Sequence, residues 1–282
     1  MSVITVCEYF WNMLTSYHMN TQQEENTIYV MRDGAIRTVV LNRPDRLNAL
    51  NPDLLQGLVI ELTKIAADAE VRVVVITGSG EKSFVAGADI HSMNQLGARA
   101  IADYLELGQR VMRMIETLKV PVIAAVNGFA FGGGLELALA CDIILCKESA
   151  KLGQPEVDLA IIPGFGGTQR LIQRCGIGTA RRLCYTGERL SAPDAKALGV
   201  VDIVVADAEF QAEVARLSNL IASKAPLAVQ SAKRVINRTG ETLLLAGLRH
   251  EVEEFIQLFK TADREEGMDA FLQKRPPIFT GR

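Results

Sequence analysis

The chain has 282 residues, 30 Lys and Arg against 33 Asp and Glu, and a formal net charge of −3. At 49% hydrophobic and 22% charged residues it has an ordinary globular composition, long enough for one large domain or two small ones and a core that needs no staples. The slightly acidic balance excludes a general nucleic-acid binder, and no apolar run reaches the ~18–20 residues of a membrane span.

Residues 1–24 contain neither Lys nor Arg and carry Glu8 and Glu24, so they fit neither a secretory signal nor a transit peptide. The segment through residue 25 reads as a disordered extension of a cytoplasmic protein, or as a start placed too early with Met19 as the true first residue. Residues 28–32 and 35–41 flank Asp33-Gly34, a hairpin signal. Asn51-Pro52-Asp53 opens a helix, with Leu54, Leu55, Leu58, Leu62 and Ile65 at helical spacing. Val71–Thr77 reads as a buried central strand, and Gly78–Ala88 as a loop. A helix is predicted over Arg99–Glu116, a buried strand over Val122–Val126, an apolar helix from Gly132 to about Cys141, and a short strand over Ile143–Cys146. Beyond Gly164 helices dominate: 167–174, 180–186, 191–198, 208–223, 227–238, 242–260 and 264–274, with Val200–Val205 the one expected strand. Alternating strands and helices indicate an α/β core over 26–205, and 206–282 forms a helical C-terminal region. In that region Leu244, Leu248, Val252, Phe255 and Phe259 make an apolar face that must pack on the core or on another subunit.

The five cysteines form no C-x-x-C pair and read as buried or idle thiols in a reducing compartment. His18, His91 and His250 are too scattered for a metal site.

Three places offer chemistry. In Asn127-Gly-Phe-Ala-Phe-Gly-Gly-Gly-Leu-Glu136 a buried strand runs into three glycines where a helix begins. Glycines there let a ligand approach backbone N–H groups that have no partner in the helix, at its positive end. Glu136, three residues after Gly133, falls on the same face. A carboxylate beside an oxyanion donor suits acid–base chemistry at a polarised carbonyl; the alternative is a tight packing turn whose Glu136 caps its own helix. The second place is Gly153-Gln-Pro-Glu156, followed by Ile161-Ile-Pro-Gly-Phe-Gly-Gly-Thr-Gln-Arg170. Glu156 in this apolar run is either a partly desolvated acid or a solvated loop residue. The third is Phe84-Val-Ala-Gly-Ala-Asp89, whose small side chains expose the main chain to a ligand or simply turn a strand into a helix.

Three motifs fail. Glu81 separates Gly80 from Lys82, which breaks a phosphate-binding loop; Arg181 stands where a dinucleotide fingerprint wants Gly; and there is no G-x-S-x-G.

Together the stretches Ser83–Ile90, Pro121–Gly128, Gly132–Ala138, Cys141-Asp142, Gly153–Val157 and Ile162–Arg170 resemble, in order, the signatures of the enoyl-CoA hydratase/isomerase family. The resemblance covers residues 26–282. It implies the crotonase fold, a spiral of β-β-α units followed by a helical region used in trimerisation, often stacked into a hexamer. It implies an acyl-CoA thioester as ligand, the N–H groups of Ala88 and Gly133 as oxyanion hole, and Glu136 and Glu156 as the catalytic pair. Glu136 would activate the water that adds to C3, and Glu156 would handle the proton at C2, with no metal or redox cofactor; coenzyme A is part of the substrate. Ala86, Asp89, Ile90, His91, Gly164, Phe271 and Lys274 match positions that line the substrate in relatives, with His91 replacing a frequent Lys. The implied activity is short-chain enoyl-CoA hydration. Branched-chain hydration, dehydration of 3-hydroxybutyryl-CoA, Δ3-Δ2 isomerisation and non-catalytic acyl-CoA binding are the alternatives.

Overall fold

A computed structural model describes residues 26–238, 248, 249, 252, 253 and 255–278. The expected extension over 1–25 and nine residues of the expected helix 242–260 lie outside the described residues; 248, 249, 252, 253 and 255–258 are helical. Within the described residues no helix is long and apolar enough to cross a membrane.

Two sheets organise the chain. β1 (Ile28–Asp33) and β2 (Ile36–Leu41) form the hairpin turned at Gly34 and begin a six-stranded sheet, continued by β3 (Val73–Gly78), β5 (Val122–Val126), β7 (Ile143–Lys147) and β10 (Ile203–Val205). β1 and β2 are antiparallel; every other pair in this sheet is parallel. A smaller sheet runs β4 (Ser83–Val85), β6 (Phe129–Phe131), β8 (Lys151–Gly153), β9 (Arg189–Ser191), parallel up to β8 and antiparallel at β9. Three successive turns, β3–β4, β5–β6 and β7–β8, each give one strand to the large sheet, the next to the small sheet, and then a helical segment. This is the spiral of β-β-α units that the family resemblance implied.

Helix α1 (Pro52–Ala67) starts where Asn51 Oδ1 accepts the Leu54 N–H at 2.9 Å, and it buries the leucines read from the sequence. Next come α2 (Ile90–Asn94), α3 (Ala98–Thr117) and α4 (Gly133–Leu139). The all-buried β5 fits a parallel strand covered on both faces. Val74, Ile76, Val122 and Ala124 of the large sheet face the main core, while Val73, Val75, Ile123 and Ala125 face the opposite way. That second face is covered by Phe210 and Leu217 of α7 (Phe210–Ala222), as the two-residue period of strands requires.

Four short strands correct the sequence reading. β4 lies inside the expected loop 78–88, and β6, β8 and β9 were not expected. Each has three residues, too few for any periodicity to show. The strand expected over 200–205 is confined to β10, because Val200 and Val201 belong to the turn after α6 (Ala192–Ala197). The pair 167–174 and 180–186 becomes α5 (Gly167–Thr186), broken at Gly176, where φ is 79° and ψ 163°. Two more helices follow, α8 (Pro226–Arg238) and α9 (Ala262–Leu272). Of the expected apolar face on 242–260, Leu248, Phe255 and Phe259 are buried and Val252 is half-buried, so in the described residues it packs on the core; Leu244 lies outside them.

Helix α4 crosses β4 in direct backbone contact. A Cβ on Gly134 would stand 2.0 Å from the Val85 carbonyl oxygen, so only glycine fits.

Candidate active site

Strands β4, β6 and β8 of the small sheet run parallel and side by side, and a cavity of ≈ 100 Å³ opens beyond their ends. Three expected residues follow these strands in turn: Ala88 after β4, Gly133 after β6 and Glu156 after β8. The Leu50 N–H donates to Gly87 O and the Asp89 N–H to Leu50 O, both at 2.8 Å. Because a strand alternates its peptide groups, the Ala88 N–H points away from Leu50, toward the cavity that Ala86, Gly87 and Ala88 line. Gly133 is the first residue of α4, so its N–H has no partner within the helix. The preceding Gly132 has φ 50° and ψ −123°, and a Cβ there would meet Glu156 Oε1 at 3.0 Å. Two main-chain donors therefore face one cavity.

Glu136 is 1% exposed, inside α4. Its Oε1 accepts the N–H of Phe165 at 2.8 Å and of Gly167 at 2.7 Å. It does not cap its own helix, although Gly134 beside it does serve the close packing of α4 on β4. Burial pushes its carboxyl up to about 7; the amides and the charge of Arg170 act in the opposite direction but do not prevail. Glu156 sits half-buried in the 3-10 turn Pro155–Leu159. Its immediate surroundings are polar rather than purely apolar. The fully buried Gln154 turns its amide to Glu156 and, with the nitrogen on that side, donates to both carboxylate oxygens at 3.0 and 2.8 Å. The same amide and Glu136 Oε1 both lie against Gly167, 2.6 and 3.0 Å from the point its Cβ would occupy.

Among the other expected residues, Ala86, Ile90, Gly164 and Phe271 line the cavity with Ala88, Gly133, Glu136 and Glu156. Asp89, His91 and Lys274 do not. Asp89 caps α2 at the Ser92 N–H and pairs with Arg43 at 3.0 Å. His91 is exposed beside Gln95, and Lys274 is exposed with a φ of 56°. Tyr104, Leu105, Phe165 and Phe255 also line the cavity; none was expected as a site residue, although Phe255 was expected in an apolar face and Phe165 stood in a quoted motif. Tyr104 donates its hydroxyl to Leu50 O at 2.7 Å and sets its ring edge-on to Phe165, centroids 5.4 Å apart. Gln154 was part of a quoted motif, yet a buried amide beside a carboxylate leaves no trace in hydropathy.

The site can polarise a carbonyl oxygen between two amides and move protons at nearby atoms. Comparison with known proteins agrees with this geometry. Residues 31–282 match the family model described as enoyl-CoA hydratase/isomerase. The chain is 43% identical to a short-chain-enoyl-CoA hydratase of Clostridium acetobutylicum, over 89% of this chain and 97% of the relative. It is 44% identical to a crotonyl-CoA hydratase of Syntrophomonas wolfei, over 90% of this chain and 98% of the relative. Among solved structures, an enoyl-CoA hydratase from Mycobacterium avium subsp. paratuberculosis superposes with a TM-score of 0.83 at 32% identity, covering 90% of this chain and 99% of that one. One from Bacillus anthracis gives 0.75 at 41%, covering 91% and 100%. With a family model spanning most of its length and relatives matched nearly end to end, the chain belongs to the enoyl-CoA hydratase/isomerase family.

Proposed function

We propose that the protein hydrates the 2,3 double bond of short 2-enoyl-CoA thioesters to give 3-hydroxyacyl-CoA. The observation that carries this reading is the pair Glu136 and Glu156 on one cavity, beside the Ala88 and Gly133 amides. The thioester oxygen accepts the two N–H groups. Ionised Glu136 takes a proton from water as its oxygen adds to C3, and the π electrons move onto the thioester oxygen as an enolate. When the enolate collapses, C2 takes a proton from Glu156, which also orients the water. The substrate gains one water, and the two carboxyls return to their starting states by proton exchange between turnovers. Two fixed amides contribute several kcal/mol to such a charge, on the order of 3 each. The chemistry calls for no metal or redox cofactor, so activity should survive chelation.

The reading extends to a homotrimer or hexamer working in the cytoplasm. On α8, Leu227 is 77% and Ile236 71% exposed, more apolar surface than an isolated helix face should leave to water. Among the described residues Cys141, Cys146, Cys175 and Cys184 are thiols outside any disulfide, as suits a reducing compartment.

Loss of crotonyl-CoA's conjugated absorbance tests the activity. Glu136→Gln and Glu156→Gln should each lower kcat by about 10²–10⁴ with CoA affinity nearly unchanged, and the double variant should be little worse than the worse single. Near-full hydration by Glu136→Gln would overturn the two-carboxylate mechanism in favour of isomerase-like chemistry on Glu156 alone.

A further inference from the structure

The turn Phe165–Gly167, which holds the Glu136 carboxylate, is itself held from behind. Arg170 of α5 is 2% exposed; its Nη1 donates to the Phe165 carbonyl at 2.6 Å and its Nε to Glu116 Oε1 at 2.7 Å. Glu116 also takes Arg113 Nη1 at 3.1 Å. Gly166, with φ 106°, lies against the guanidinium: a Cβ there would stand 2.0 Å from Nη1. Phe165 thus spends its N–H on the carboxylate and its C=O on the arginine. A guanidinium cannot shed its proton, so this buried charge is permanent. Packing alone would be served as well by an apolar side chain of similar volume, which makes a buried cation at this place a feature to be explained.

We propose that Arg170, anchored by Glu116, is the positioning residue for Glu136 in hydration: it fixes the turn whose amides cradle the carboxylate and stands behind that turn as a buried positive charge. The inference rests on the reading of Glu136 as the group that activates water. The cation favours the ionised carboxylate against the pull of burial, which the reaction requires. Among the described residues the other ionisable groups around Glu136 are Tyr104 of α3, which burial keeps neutral, and Glu156 of the 155–159 turn.

The test is the pH dependence of kcat and KM for crotonyl-CoA in the wild type, Arg170→Met, Arg170→Lys and Glu116→Gln. Glu136→Gln serves as control on the underlying reading. Arg170→Met should move the acid limb of kcat up by about one pH unit and lower kcat at pH 7 about tenfold or more, with KM held within about twofold. Arg170→Lys keeps the charge without the fork, so it should restore the limb and not the plateau rate. Glu116→Gln should move the limb down, because the cation loses its counter-charge. A uniform loss of kcat with the limb unmoved in Arg170→Met and Glu116→Gln would assign the pair to folding alone and overturn the proposal. If Arg170→Met does not fold, Glu116→Gln decides: a lowered limb supports the proposal and an unmoved one overturns it. Full activity in Glu136→Gln would bring down the reading beneath it, a failure visible without touching Arg170.

Discussion

At the scale of single residues the molecule trades stability for reactivity at Glu136. Its carboxyl holds a proton more tightly in the folded chain than the usual value of 4.5 allows, up to about 7, chiefly through burial. Ionisation is therefore penalised in the folded state, and this residue's contribution falls as pH rises from about 4.5 to 7. Glutamine cannot ionise, yet its oxygen can still accept the Phe165 and Gly167 amides. Glu136→Gln is expected to melt higher than the wild type at pH 8, by up to about 3 kcal/mol, with the difference closing toward pH 4. Thermal melts across that range check the sign; a variant less stable at pH 8 would mean that the ionised carboxylate is well accommodated. Both glutamates, Ala88 and Gly133 were picked out through the family resemblance, the residues alone leaving a packing turn and a solvated loop acid open, and the structure brings all four to one cavity. Arg170 and Gln154 were not, because their significance lies in which atoms they touch.

At the scale of elements, α3 shows what a helical face can specify. The helix was expected over 99–116, and it buries Ile101, Tyr104, Leu105, Val111, Met112 and Ile115. No period reveals that Tyr104 and Leu105 also wall a cavity, since wall and core ask for the same side chains. Tyr104, Leu105 and Phe165 crowd that cavity with bulky side chains, which suits a short acyl chain. Crotonyl-CoA should therefore be turned over better than octenoyl-CoA, and Leu105→Ala should narrow or reverse that preference. Each accommodated methylene is worth about 0.8 kcal/mol, close to fourfold in kcat/KM. A panel of enoyl-CoAs of rising length checks this, and an unchanged preference in Leu105→Ala would place the limit elsewhere. The small sheet escaped the sequence reading for a different reason. Three-residue strands acquire their identity from neighbours in the coil, with β4 recognised only once β6 lies beside it.

At the scale of the whole molecule, the spiral followed from the order of the motifs, whereas the C-terminal helices could be placed only by their contacts. Lys233 of α8 donates to the carbonyls of Ile115 and Val120 and to Asp142 at 2.7 Å, pinning that helix to the core by a buried ion pair. The family match begins at residue 31. Deletion of residues 1–24 should accordingly leave turnover, melting temperature and assembly unchanged, with light scattering giving the mass of a trimer or hexamer before and after. A monomeric mass, or a large drop in melting temperature on truncation, would contradict this. The coil has a last consequence, in the seat proposed for the oxygen. Its two amides, those of Ala88 and Gly133, each stand three residues beyond a paired position of the small sheet, Val85 of β4 and Ala130 of β6. The seat is a gauge cut in main chain, with no side chain by which mutation could reset it. Acyl pockets can drift from one descendant to another, while the atom admitted to the gauge stays oxygen. An enoyl-CoA dithioester, presenting bulkier sulfur with its longer contacts in place of the carbonyl oxygen, should still bind through its coenzyme A portion and yet be hydrated far more slowly.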